Sequence, residues 1–170
     1  MGGNIQEKKE KIKFLIMDVD GTLTDGNIYM GVQGEILKCF NIKDGTGIKD
    51  LLPVRGIIPI VITGRCSKIT ENRCKELNIS YIYQGCRNKK NQLKNIAEDF
   101  MVYPQNGIYE EFAYIGDDLI DLESMRCSGI SGCPSDAVDV VKAEADFISE
   151  FTGGKGAVRE FIEWIIQKQS

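Results

Sequence analysis

The segment Phe14-Leu-Ile-Met-Asp18-Val-Asp20-Gly21-Thr22-Leu-Thr24-Asp25-Gly26 sets two carboxylates two residues apart where an apolar run stops. In an extended chain residues i and i+2 point the same way, so Asp18 and Asp20 face one reacting centre while Gly21 lets the backbone turn beside them. Two like charges so close repel each other unless a cation or a proton intervenes, and hard divalent ions such as Mg2+ take carboxylate oxygens. The pattern predicts a metal and phosphate site. An ordinary acidic turn is the competing reading, but average residue usage yields Asp-x-Asp-Gly-Thr by chance in roughly one chain of this length in several hundred.

Three more signals follow apolar runs. Val61-Ile-Thr63-Gly64-Arg65 ends in a hydroxyl, a glycine and a guanidinium, and Thr63 can hydrogen-bond a phosphoryl oxygen or serve as a structural strand-end threonine. Lys89, after Tyr83-Gln-Gly85, can neutralise both a phosphate and the acidic pair, though taken alone it reads as a surface lysine and Lys90 is its rival. Ala113-Tyr-Ile-Gly116-Asp117-Asp118-Leu-Ile-Asp121 places further carboxylates at the end of a run, where Asp117 can complete the coordination of Mg2+. Asp118 and Asp121 read equally well as helix-capping and first-turn residues.

The chain has 170 residues and no histidine. That absence excludes Ser-His-Asp and Cys-His machinery and His-ligated zinc or iron sites, leaving proton transfer to carboxylates, lysine or tyrosine. A net charge of -4, without basic runs beyond doublets, argues against nucleic acid as a partner. No apolar stretch approaches a membrane span, and the polar start is not a signal peptide, so a cytoplasmic chain is expected. Cys39, Cys66, Cys74, Cys86, Cys127 and Cys133 form no Cys-x-x-Cys pair and are expected to be reduced thiols, mostly buried, with Cys66 a candidate exposed thiol.

Positioning these groups requires an alternation of strands and helices. Apolar runs at 12–17, 57–62, 80–83, 112–115, 130–131 and 146–148 read as strands, and 47–55, 67–77, 90–100, 119–127, 136–142 and 156–168 as helices. Continuous apolar strands alternating with helices predict an α/β fold: a three-layer, Rossmann-like parallel sheet with helices on both faces and ligands at the carboxyl ends of the strands. Residues 27–40 break the pattern as a small β-hairpin around Gly31-Val-Gln-Gly34. One domain spanning 1–170 is expected, with 1–11 a disordered N-terminal tail.

The ordered set Asp-x-Asp-Gly-Thr, strand-end Thr, Lys and Gly-Asp-Asp resembles the haloacid dehalogenase superfamily of phosphatases, from Ile12 to the C-terminal helix. The resemblance implies Asp18 as nucleophile, Asp20 as general acid and then base, and Thr63 and Lys89 as holders of the phosphoryl group. It also implies Mg2+ bound by Asp18, the backbone carbonyl of Asp20, and Asp117. Asp20 to Thr63 spans 43 positions and Thr63 to Lys89 spans 26, too few for the cap domain these proteins usually carry.

Asp25-Gly26, Lys43-Asp44-Gly45-x-Gly47-Ile48, Thr63-Gly64-Arg65, Tyr83-Gln-Gly85 and Gly153-Gly-Lys155-Gly-Ala-Val-Arg159-Glu160 are similar to a capless, tetrameric branch. That branch contains the 3-deoxy-D-manno-octulosonate 8-phosphate phosphatases of lipopolysaccharide synthesis. The resemblance implies a small sugar-acid phosphate as substrate and a homotetramer in which a hairpin roofs a neighbour's site. Gly64, Arg65 and Arg73 are expected to bind substrate, the guanidinium groups clamping a carboxylate, with one of Arg65 and Arg73, or Lys155 and Arg159, reaching a neighbouring subunit; a solvated helix face is the competing reading for Arg73 and Arg159. Phosphatases of nine-carbon sialic-type acid 9-phosphates tend to be acidic at the position of Arg65, which favours the eight-carbon acid. Non-catalytic oligomerisation domains share this fold but have eroded motifs, and signalling receiver domains place their lysine last; neither matches this chain.

Overall fold

Met17 and its neighbours have no polar face to show to water, which sets the architecture. Strand β1 (Phe14–Met17) is buried along its whole length. Its side chains alternate between two cores: Leu15 and Met17 enter one and Phe14 and Ile16 the other. A strand apolar on both faces must lie inside a sheet covered on both sides. The computed structural model describes residues 4–167 and shows that arrangement.

The six-stranded sheet has the order β5 (Tyr81–Tyr83), β4 (Ile58–Ile62), β1, β6 (Tyr109–Ile115), β7 (Ser128–Cys133), β8 (Phe147–Ile148), and every pairing is parallel. One core packs Leu15, Met17, Val61 and Ile115 against Cys74 and Leu77, Ile48 and Leu52, and Val158, Phe161 and Ile162. These come from the α4 segment (Lys68–Glu76), from the helical run α2 (Ile42–Thr46), π-helical Gly47–Leu51 and α3 (Leu52–Val54), and from α8 (Ala157–Ile166). The opposite core packs Phe14, Ile16, Ile60 and Tyr114 against α5 (Lys89–Asp99), α6 (Leu119–Cys127) and α7 (Asp139–Lys142) through Leu93, Ile96, Leu122, Met125 and Val141. From β1 the chain moves outward to β4 and β5, then returns to β6 on the other side. The carboxyl end of β1 is therefore a topological switch point, where sheets of this kind hold ligands.

Strands β2 (Tyr29–Gly31) and β3 (Gly34–Leu37) form the expected antiparallel hairpin, its base closed by a Thr24–Phe40 bridge. The expected helices are present within a few residues, though 136–142 is helical only over α7 and Lys168 lies outside the described residues. Two expectations are corrected. Of the expected disordered tail 1–11, residues 4–11 are ordered, with helix α1 (Ile5–Lys11) capped by the Asn4 side chain and Lys9 3.9 Å above the Trp164 ring; Met1–Gly3 lie outside the described residues. The cysteines are free but not mostly buried: Cys74 and Cys133 are buried, Cys86 and Cys127 half-buried, and Cys39 and Cys66 exposed.

Candidate active site

Asp18 follows β1 directly, its amide bound to the Ile115 carbonyl at 3.0 Å, and its side chain is buried. Lys89, first residue of α5 and only 1% exposed, ion-pairs with one Asp18 oxygen and with Asp121 Oδ1 at 2.7 Å. The Tyr114 hydroxyl donates to that same Asp121 oxygen at 2.7 Å, and the amides of Asp117 and Asp118 donate to the other at 3.3 Å. Asp121 is thus saturated, and it fixes the Lys89 ammonium toward Asp18. Asp118 caps α6. Lys90 points outward to Glu123 at 3.8 Å, so the structure assigns the inner position to Lys89.

The loop after Asp18 is built around hydroxyls. Thr22 donates to Asp117 Oδ1 at 2.9 Å, and Thr24 Oγ1 accepts from the amides of Gly21 and Gly26, each at 3.3 Å. Gly21 has φ +102°, and a Cβ there would stand 2.1 Å from Asp117 Oδ2. Only glycine lets Asp117 come this close. Asp18, Asp117 and Asp121 each offer an oxygen within 4.8 Å of the others.

Asp20 turns away from that trio. Its carboxylate contacts the Thr63 hydroxyl at 3.5 Å, Arg65 Nε at 4.0 Å, and the ammonium of Lys38 on the hairpin. Glu35, also on the hairpin, receives Lys38 at 3.0 Å, Arg65 at 3.2 Å and the Ser67 hydroxyl at 2.6 Å. Gly64 is exposed beside Ile120 at the rim.

Asp18, Asp20, Thr63, Lys89 and Asp117 therefore converge, with Gly64 and Arg65 at the edge. Arg73 does not join them. It bonds Glu76 at 2.8 Å and the Asn41 carbonyl at 3.3 Å, with Phe40 beneath it, so within its own chain it braces α2. Arg159 is likewise engaged by Glu163 at 2.7 Å, and Lys155 is exposed near Asp25.

No family model matches the chain. The 3-deoxy-D-manno-octulosonate 8-phosphate phosphatase KdsC of Escherichia coli is 41% identical over 169 residues, covering 99% of this chain and 87% of the relative. The chain belongs to this phosphatase family. It is a phosphoric monoester hydrolase of the haloacid dehalogenase superfamily. Among solved structures, the family's Moraxella catarrhalis phosphatase, in complex with a magnesium ion, a phosphate ion and a KDO molecule, is 39% identical with TM-score 0.88, covering 95% of this chain and 89% of that one. The cobalt-bound Haemophilus influenzae phosphatase is 38% identical with TM-score 0.87, covering 94% and 90%.

The acidic centre of this chain is strongly polarised. Burial raises the Asp18 carboxyl well above the usual range, Asp121 adds to the rise and Lys89 opposes it. Burial also pushes Asp117 up to about 6, against the hydrogen bond from Thr22. Burial works against the Lys89 ammonium, but Asp18 and Asp121 outweigh it and raise its pKa. Lys38, Glu35, Ser67, Thr22 and Tyr114 are site residues that sequence reasoning missed. Glu35-x-x-Lys38, an opposite-charge pair on an otherwise uncharged hairpin, was the available signal.

Proposed function

We propose that this phosphatase hydrolyses 3-deoxy-D-manno-octulosonate 8-phosphate, with Mg2+, through an aspartyl-phosphate intermediate, in the cytoplasm and as a step toward lipopolysaccharide. The observation that carries the reading is Asp18: a buried carboxylate with Lys89 on one oxygen and Asp117 beside it, next to an Asp20 whose carboxylate meets the Thr63 hydroxyl. In a chain without histidine, that carboxylate is the nucleophile the site offers.

An Asp18 oxygen attacks phosphorus and the ester P–O bond breaks, its electron pair leaving with the sugar alkoxide, which takes a proton from Asp20. Water then attacks the phosphorus of the acyl phosphate, Asp20 accepts a proton from it, and the bond to Asp18 breaks to release inorganic phosphate. Lys89 and Thr63 hold the phosphoryl oxygens in both steps. The residues present fit a divalent cation. Three carboxylates face a single ammonium, and the Asp121 oxygens are already bonded, so Asp18, Asp117 and the Asp20 carbonyl would be the ligands. Bound there, Mg2+ would neutralise charge on the phosphoryl group.

Support for the substrate comes from relatives of that specificity and from the Arg65 guanidinium, half-exposed at the rim, where a sugar carboxylate can be clamped. A homotetramer of single-domain chains follows from the same reading. Met30, Val32 and Ile36 project from the hairpin into solvent, an apolar surface suited to a neighbouring subunit.

The test is phosphate release with Mg2+ from the octulosonate ester, N-acetylneuraminate 9-phosphate and simple hexose phosphates. Preference for the octulosonate ester is expected, with Asp18→Asn folded and inactive. Preference for the nine-carbon ester would overturn the substrate, and turnover by Asp18→Asn would overturn the nucleophile.

A further inference from the structure

Lys38 is the hairpin side chain that ion-pairs with Asp20, the carboxylate read as proton donor. Its side chain is 2% exposed, although the hairpin around it presents Met30, Val32, Ile36 and Leu37 to solvent. Burying an ammonium is costly unless it is paired on several sides, and Lys38 is paired with Asp20 and with Glu35. Glu35 is in turn held by Arg65 at 3.2 Å and Ser67 at 2.6 Å, two residues of the segment that follows β4. The five side chains make a closed polar chain from the hairpin across the site rim to the carboxylate of Asp20. A solvated hairpin needs none of it.

We propose that Lys38, braced by Glu35, is a positioning residue for Asp20: it fixes the carboxylate's direction and offsets the negative charge that Asp20 acquires on giving its proton to the leaving alkoxide. This inference rests on the reading of Asp20 as proton donor and adds the hairpin as part of the catalytic frame of its own subunit. Charge develops on Asp20 as the ester oxygen is protonated, and a fixed ammonium beside it stabilises that change without reorganisation. A fixed rotamer also keeps the Asp20 oxygen at the distance proton transfer requires.

The dependence should follow the leaving group. An alkoxide needs the proton, whereas p-nitrophenolate leaves without it. Single-turnover and burst kinetics of Lys38→Met with the sugar-acid ester and with p-nitrophenyl phosphate separate the two. The rate of enzyme phosphorylation by the alkyl ester is expected to fall by about 10- to 100-fold, within the range of general acid catalysis. The p-nitrophenol burst rate should be at least tenfold less affected. Lys38→Arg should recover most of the alkyl-ester rate, and Glu35→Gln should show the same selective loss in milder form. Equal loss on both esters, or no loss on either, would overturn the proposal, since a purely structural lysine moves both together. Should Lys38→Met not fold, the Glu35→Gln comparison carries the same two outcomes. The underlying reading is checked separately with Asp20→Asn: a variant that retains the alkyl-ester rate overturns the assignment of Asp20 and the proposal with it, whereas loss of that rate in Asp20→Asn with none in Lys38→Met overturns the proposal alone.

Discussion

Lys89 shows how much of this site is electrostatic bookkeeping among a few atoms. Its ammonium sits between Asp18 and Asp121 with Asp117 close by, and removing one partner of a buried pair leaves charges that nothing compensates. Lys89→Met is expected to lower the unfolding free energy by about 3 kcal/mol near neutral pH in a chelator. Urea denaturation measures this. Mg2+ should restore part of that stability, because a cation bound only to the folded state stabilises it, while turnover stays lost. Unchanged stability would mean that the carboxylates are relieved some other way. Tyr114 and Thr22 belong to the same balance: each donates to a carboxylate that would otherwise face its neighbours unsolvated.

Among the elements, α8 has an unusual terminus. Asp44, on α2 and 1% exposed, accepts the Arg159 amide at 2.8 Å and so closes the start of a helix whose own N-cap is Gly156. Burial pushes the Asp44 carboxyl up to about 6 from the ordinary 3.8, despite its backbone hydrogen bonds. Between pH 4 and 6 the folded state therefore holds more protons than the unfolded state, and unfolding free energy falls as pH rises through that window. Relative to Asp44→Asn, the wild type should gain about 2 kcal/mol on going from pH 7 to pH 4. Paired chemical denaturation curves at the two pH values read this difference, and a pH-independent difference would refute it. The elements also differ in how far sequence reveals them. Strand β1 and the acidic turns are legible because residue type and period coincide locally. Strand β7 is read short, as 130–131, because Ser128-Gly-Ile-Ser-Gly-Cys133 carries few strand formers; its Gly132 is required by the Phe161 ring packed on it. Helix α1 has no buried residue of its own and depends on Asn4 and Trp164. The Lys38–Asp20 contact exists only once the hairpin folds back, a tertiary fact that no local pattern encodes.

Across the whole molecule, the hairpin has a polar inner edge spent on its own site and an apolar outer side turned to solvent. Under the proposed tetramer, dilution should separate subunits and activity together, which sedimentation paired with activity assays can follow. A fully active monomer would show that the outer side serves something else. The opposite support of the site comes from far along the chain. The Gly154 amide donates to the Thr22 carbonyl at 3.1 Å, and Gly153 packs so closely on the turn after Asp18 that a Cβ there would lie 1.8 Å from the Gly21 oxygen. Beyond them, Val158, Phe161 and Ile162 of α8 fill the core beneath Leu15 and Met17. During synthesis, 152 of the 170 residues are still to come when Asp18 is added to the chain. Until Gly153 and α8 are made, its loop lacks the backbone packed on it and the core beneath it, so a chain terminated before Gly153 is expected to keep Asp18, Asp20, Thr63, Lys89 and Asp117 and yet release no phosphate.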